Sequence, residues 1–133
     1  MIREKTYYEL EVEKIAARYG LPEYQYIQVR QSKAFMEKCY AEKIELTQIA
    51  QAACMSRFHF IRLFQSVYGV TPRQYLRDVR IHKAMELFRK GIPVARVCYE
   101  VGYQSTSTFS GVFKRGTGLS PKEYLAQQNS NPE

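Results

Sequence analysis

The amino-acid sequence predicts an all-α protein, two small helical subdomains joined by a long central helix, with a helical extension at the N-terminus. Three observations predict it. Thr71-Pro72 is a helix-opening pair and Gly91 a helix-closing residue, and nothing between them breaks a helix. An internal repeat flanks that stretch. The apolar residues outside it recur at helical rather than alternating spacing.

The central helix, residues 71–90, spans roughly 27 Å or more at about 1.5 Å per residue. Tyr75, Leu76 and Val79 fall on one side of it, and Ile81, Ala84, Met85 and Phe88 on nearly the opposite side. A helix on one core keeps one apolar face. This change of face predicts that its first half packs on one unit and its second half on another.

The repeat defines those units. Ser56, Phe60, Phe64, Gly69, Val70, Thr71, Pro72, Tyr75 and Leu76 return as Ser105, Phe109, Phe113, Gly118, Leu119, Ser120, Pro121, Tyr124 and Leu125, each 49 positions on. Before the serines the offset is 48, pairing Leu46 with Val94, Ile49 with Val97, Ala53 with Val101 and Cys54 with Gly102. One residue is therefore inserted in the second copy, around Gln104.

Taken in order, residues 2–19 are expected to form an amphipathic helix, with Tyr8, Val12, Ile15, Ala16 and Tyr19 at helical spacing and Gly20 as its stop. Leu21-Pro22 makes a turn. A second helix should run from near Tyr24 to Tyr40, with Ile27, Ala34, Phe35 and Cys39 towards the core. Residues 46–68 read as helix, sharp turn, helix: Leu46, Ile49, Ala50 and Ala53 face inward, Cys54-Met55 turns, and Ser56 caps the next helix. That helix should bury Phe60, Leu63, Phe64 and Val67. Its outer face carries Arg57, Phe58, His59, Ile61, Arg62 and Gln65. Arg pairs with guanine, Gln and His contact base edges, and Phe or Ile meets a thymine methyl, so this face suits a major-groove reader.

Residues 93–115 form the second copy. Pro93 opens a helix carrying Val94, Val97, Cys98 and Val101, Gly102 supplies the turn, and Ser105 caps a helix burying Phe109, Val112 and Phe113. Outward lie Ser105, Thr106, Ser107, Thr108, Ser110, Gly111, Lys114 and Arg115. Gly111 costs about 1 kcal/mol against Ala in a helix interior, which is either tolerated or lets the backbone approach DNA closely.

Composition narrows the function. The 133 residues carry a net charge of +7, and all of the excess lies in residues 56–133, with 12 Lys/Arg against 5 Asp/Glu; residues 1–55 balance at 8 and 8. A basic repeat region predicts a polyanionic partner. No apolar run approaches the 18 residues of a membrane span, and the charged N-terminus lacks a signal-peptide core, so a cytoplasmic protein with no membrane partner is expected. Cys39, Cys54 and Cys98 are odd in number and are expected to act as small buried hydrophobes rather than disulfides. His59 and His82 are the only histidines, none at metal spacing to a cysteine, and no Gly-rich phosphate loop is present. An enzyme, a metal site and a cofactor are not expected. An interaction adaptor is the rival to a DNA-binding module.

The motifs together resemble the DNA-binding domain of the AraC/XylS family of bacterial transcription regulators, over roughly Val29 to Gln127. The resemblance rests on Leu46-Thr47-Gln48-Ile49-Ala50, Ser56 through Phe64, Gly69-Val70-Thr71-Pro72 with Tyr75-Leu76, and Arg80-Ile81-His82-Lys83-Ala84. It rests above all on Val101-Gly102-Tyr103-Gln104-Ser105, Phe109-Ser110, Phe113-Lys114, Gly118-Leu119-Ser120-Pro121 and Tyr124. It implies seven core helices in two helix-turn-helix subdomains that read successive major grooves on one face of double-stranded DNA. The implied division is a helical extension over 1–23, an AraC-type domain over 24–128 with helix-turn-helix motifs at about 46–68 and 93–115, and a tail over 129–133.

By position, the family's base-reading residues fall on Phe58, Ile61 and Arg62, then on Thr106, Ser107 and Gly111. Gly111 stands where the family usually has Arg, and Leu125 where Arg often closes the motif; both bear on how strongly the second subdomain grips DNA. The expected function is sequence-specific transcription regulation, activation being the favoured sign, with RNA polymerase as a second partner. A monomer, or a weak dimer through residues 2–19, is expected. Residues 1–28 are too short for the effector-binding barrel of many members, so the chain resembles a stand-alone member or a fragment of a larger regulator.

Overall fold

The structure, a computed structural model, describes Leu10 and residues 23–130. Among the described residues it holds seven α-helices and no strand: α1 (Glu23–Lys38), α2 (Leu46–Ala52), α3 (Arg57–Tyr68), α4 (Pro72–Arg89), α5 (Val94–Glu100), α6 (Thr106–Thr117) and α7 (Pro121–Ser130). The all-α expectation holds. The helix expected over residues 2–19, and a dimer through it, lie outside the described residues apart from an exposed Leu10. The chain divides into two compact units. One takes in α1 and Glu45–Arg73; the other takes in Cys39–Ile44 and the chain from Gln74 onward.

In the first unit α1 and α2 each pack on α3. Phe60, Leu63 and Phe64 of α3 are buried, with Ala50, Ala53 and Met55 from α2 and the turn after it. The Phe60 and Phe64 ring centroids lie 6.0 Å apart, and Phe64 lies 4.8 Å from Tyr68. α1 buries Tyr26, Val29, Ser32 and Met36, a stripe at spacings of three and four. This corrects the expected inner face. Ile27 and Cys39 are only half-buried, Ala34 is exposed, and Phe35 is 46% exposed. The stripe is displaced because its third position is a serine, which breaks the apolar pattern. Ser32 is accommodated because its hydroxyl donates to the Val29 carbonyl at 2.6 Å, so the buried polar group is paired. α1 also stops at Lys38, two residues before the expected Tyr40.

The second unit has one core. Ile81, Ala84 and Phe88 of α4 meet Val97, Cys98 and Val101 of α5 and its C-terminal end, Phe109 and Phe113 of α6, and Tyr124 of α7. Phe113 sits edge-on to Phe88 at 5.8 Å and to Tyr124 at 5.5 Å, the arrangement that aromatic quadrupoles favour. At Gly116 an added Cβ would collide with the Ile81 side chain, so the absent side chain lets α6 pack close on α4.

The change of apolar face within α4 predicts that its two halves serve different units. Its second half supplies Ile81, Ala84 and Phe88 to the core of the second unit, and Tyr75, Leu76 and Val79 of the first half are not among the residues of that core. The second unit nevertheless takes in α4 from Gln74 on, and within it Arg80 Nε donates to the Tyr40 carbonyl at 2.7 Å and Nη2 to the Glu42 carbonyl at 3.0 Å. That segment and the middle of α4 therefore belong together.

The cysteine expectation is also corrected. Cys98 alone is buried; Cys39 is half-buried and Cys54 is exposed. Cys54 is exposed because it forms the turn between α2 and α3, at φ 57°.

Candidate nucleic-acid interface

Each unit builds the same turn from the same bonds. In the first, the Cys54 N–H donates to Gln51 O at 3.0 Å and the Met55 N–H to Ala50 O at 2.9 Å. In the second, the Gly102 N–H donates to Tyr99 O at 3.1 Å and the Tyr103 N–H to Cys98 O at 3.0 Å. These pairs keep the offset of 48, and the serine caps that follow keep 49, so the inserted residue is Gln104, which is exposed. Ser56 Oγ then accepts the His59 N–H at 3.2 Å, and Ser105 Oγ accepts the Thr108 N–H at 3.1 Å. The helices end alike, at Gly69 (φ 78°) and Gly118 (φ 85°), whose N–H groups bond to Gln65 O and Lys114 O at 2.8 Å.

This frame fixes what α3 and α6 present outward. On α3, Arg57, Phe58, Arg62 and Gln65 are exposed, Phe58 to 77%. Ile61 is half-buried at the edge of this face. His59 is set apart from it: the Gln25 amide of α1 donates to His59 Nε2 at 3.3 Å, so its ring is engaged within the unit.

On α6, Thr106, Ser107, Lys114 and Arg115 are exposed, and Ser110 and Gly111 are half-buried. Two hydroxyls of the expected set serve the cap. Ser105 Oγ donates to Thr108 Oγ1 at 2.9 Å while accepting the Thr108 N–H. Both stay exposed, as do Thr106, Ser107, Lys114 and Arg115, with Ser110 half-buried beside them.

Sequence reasoning placed Tyr103 and Arg80 only in the family motif and gave Arg77 no role, while it set Arg115 on the outward face of the second reader. Arg80 lies over the Tyr103 ring at 5.3 Å. Burial pushes the Tyr103 hydroxyl pKa up, opposed by the positive charges of Arg80, Arg77 and Arg115 and by a hydrogen bond from Arg80. Tyr103, in the turn leading into α6, thus lies near the positive charges of Arg77 and Arg80 of α4 and of Arg115 in the last turn of α6. The signal in the sequence was the arginine spacing on α4, readable only once α4 is placed against the turn. Among the described residues, no group of three or more His, Cys, Asp or Glu side chains could hold a metal ion, and no helix is long and apolar enough to cross a membrane.

Comparison with known proteins follows the same frame. A helix-turn-helix domain family matches residues 49–127. A Haemophilus influenzae protein described as an uncharacterized HTH-type transcriptional regulator is 41% identical over 80 residues, 59% of this chain and 27% of its own. The HTH-type transcriptional regulator AlkR of Acinetobacter baylyi is 39% identical over 80 residues, 59% of this chain and 26% of its own. The chain spans about a quarter of the length of these relatives. Among solved structures, the DNA-binding domain of the global transcriptional factor AdpA, in complex with a target DNA, superposes with a TM-score of 0.71 at 29% identity, over 77% of this chain and 93% of that one. The C-terminal domain of the response regulator AraT from Geobacillus stearothermophilus also reaches 0.71, at 25% identity over 75% and 84%.

Proposed function

The chain belongs to the AraC/XylS family of helix-turn-helix, DNA-binding transcription regulators, and from that membership we propose that it binds double-stranded DNA sequence-specifically, with α3 in one major groove and α6 in the next. The DNA-binding domain is residues 24–128. Arg57, Phe58, Ile61, Arg62 and Gln65 form the first contact face, and Thr106, Ser107, Ser110, Gly111, Lys114 and Arg115 the second. His59, Ser105 and Thr108 hold those faces in place. The observation that carries this reading is the matched pair of helices, each capped by a serine on the same turn and each turning an exposed, cation-bearing face outward.

The chemistry divides by reach. Arg62 offers paired donors to guanine O6 and N7, and Phe58 an apolar surface to a thymine methyl. The hydroxyls of α6, with Lys114, suit phosphates and the nearest base edges. We further propose that the protein acts in the cytoplasm as an activator, with RNA polymerase as its second partner, as a monomer or a weak dimer through residues 2–19, and without enzymatic activity.

The test is a gel shift on duplex DNA, followed by selection of bound sequences from a random duplex pool. Specific complexes should form, and affinity should fall steeply between low and moderate salt, because each neutralised phosphate releases roughly 0.9 of a counterion. Affinity unchanged by salt, or no sequence preference, would refute the proposal.

A further inference from the structure

The outward faces of α3 and α6 differ in a complementary way at two matched positions one turn apart. α3 carries Arg62 and, one turn later, Ser66; α6 carries Gly111 and then Arg115, each 49 positions on. The long cationic side chain and the small residue have exchanged turns. A helical side chain leans toward the N-terminus and covers the surface over the preceding turn. Arg115 does this: a Cβ added to Gly111 would meet Arg115 Nη1 at 3.4 Å. Glycine is among the poorest residues for a helix interior, so its place in the middle of α6 calls for a local use. An alanine Cβ at 111 would sit at ordinary van der Waals distance from the guanidinium, whereas a longer side chain there would share the surface that Arg115 covers.

We propose that Gly111 and Arg115 act as one recognition device, in which Gly111 clears the helix surface and the Arg115 guanidinium lies across it to read a guanine. The inference rests on the DNA-binding reading given above. It makes Arg115, at the rear of α6, the functional counterpart of Arg62, so that each helix carries one guanine-reading arginine on a different turn. A guanidinium suits this because its donors form a planar fork matched to guanine O6 and N7, which an ammonium cannot reproduce. Arg115 is exposed, so its side chain can be removed without opening the core.

The experiment is selection from a duplex pool with a randomised core, using the full chain as wild type, Arg115→Ala, Arg115→Lys, and Gly111→Arg combined with Arg115→Ser. The wild type should select two blocks of sequence. Arg115→Ala should lower the preference for guanine at one base pair of one block by about tenfold or more, with the other block unchanged. Arg115→Lys should not restore it. The double variant reproduces the order found on α3 and should recover a guanine preference, displaced to a neighbouring base pair. If Arg115→Ala instead weakens binding to all sequences alike and Arg115→Lys restores it, Arg115 is a phosphate contact and the inference is wrong while DNA binding stands. A wild-type consensus without a second block also overturns it. A wild type that selects nothing overturns the DNA-binding reading itself.

Discussion

Ser56 and Ser105 cap α3 and α6 through bonds of 3.2 and 3.1 Å, and Gly69 and Gly118 end them at φ 78° and 85°. Phe60 and Phe64 on one helix, Phe109 and Phe113 on the other, are all fully buried. Between these fixed points the outward residues do not correspond: Arg57 and Thr106, Phe58 and Ser107, Arg62 and Gly111 share positions and nothing else. The two helices repeat where a backbone group needs a partner or a core needs filling, and diverge where the side chain meets only what lies outside. A duplicated frame with independent surfaces suits two different partners or half-sites, which two identical surfaces could not tell apart.

The largest expected effect tests whether the match extends to the cores. Phe64→Ala and Phe113→Ala each remove a fully buried ring at matched positions and should each cost about 3–5 kcal/mol. Thermal or urea unfolding of both variants measures this. A small loss at one position would show that the repeat matches in sequence but not in packing.

A second test uses a place where the frames differ. Gly102 stands at φ 100°, and an added Cβ would meet the Ala41 carbonyl oxygen at 3.0 Å and that of Tyr40 at 3.1 Å. Both neighbours are backbone and cannot swing aside. Gly102→Ala should cost about 1–3 kcal/mol from conformation alone, and more from the crowding. Arg80, which bonds the same Tyr40 carbonyl, ties that segment in place. Unfolding curves unchanged by Gly102→Ala would mean residues 39–44 give way freely.

On the outward faces the expected loss is in binding rather than folding. Arg62→Ala should cost roughly 1–3 kcal/mol at a single operator position and relax specificity there, with unfolding unchanged because Arg62 is exposed. Selection from a random duplex pool reads it out. A uniform loss over all sequences would reassign Arg62 to phosphate.

Much of this was legible in the sequence because the repeat prints the frame twice. A serine, two phenylalanines and a glycine at one offset locate caps, cores and helix ends together, and local rules at each point agree. The inner face of α1 was not legible, because Ser32 sits in a buried stripe and its bond to Val29 O cannot be read from residue type. Nor was the engagement of His59 by Gln25, 34 residues away. On α6 the sequence read Ser105 as the cap; that the Thr108 hydroxyl joins it is decided by geometry. The extent of Arg115 over Gly111 required the side chain itself. What the sequence hides is pairing at a distance and side-chain direction.

The smallest expected effect should have the opposite sign. Cys54 occupies the position matched to Gly102, with φ 57°, and is exposed. A side chain in this left-handed conformation costs roughly 1–2 kcal/mol. Replacing it by glycine removes that strain but gives the unfolded chain more freedom, which offsets roughly 0.5–1 kcal/mol. Cys54→Gly should therefore be neutral to stabilising by up to about 1.5 kcal/mol, while Gly102→Ala destabilises. The two substitutions run in opposite directions at matched turns, so opposite signs are what the shared left-handed conformation alone predicts, and an excess in magnitude at Gly102 reports on its surroundings. Paired unfolding curves measure the difference. If Cys54→Gly proves clearly destabilising, the cysteine side chain contributes contacts at the first turn that its exposure conceals, and the two turns are more alike than their residues suggest.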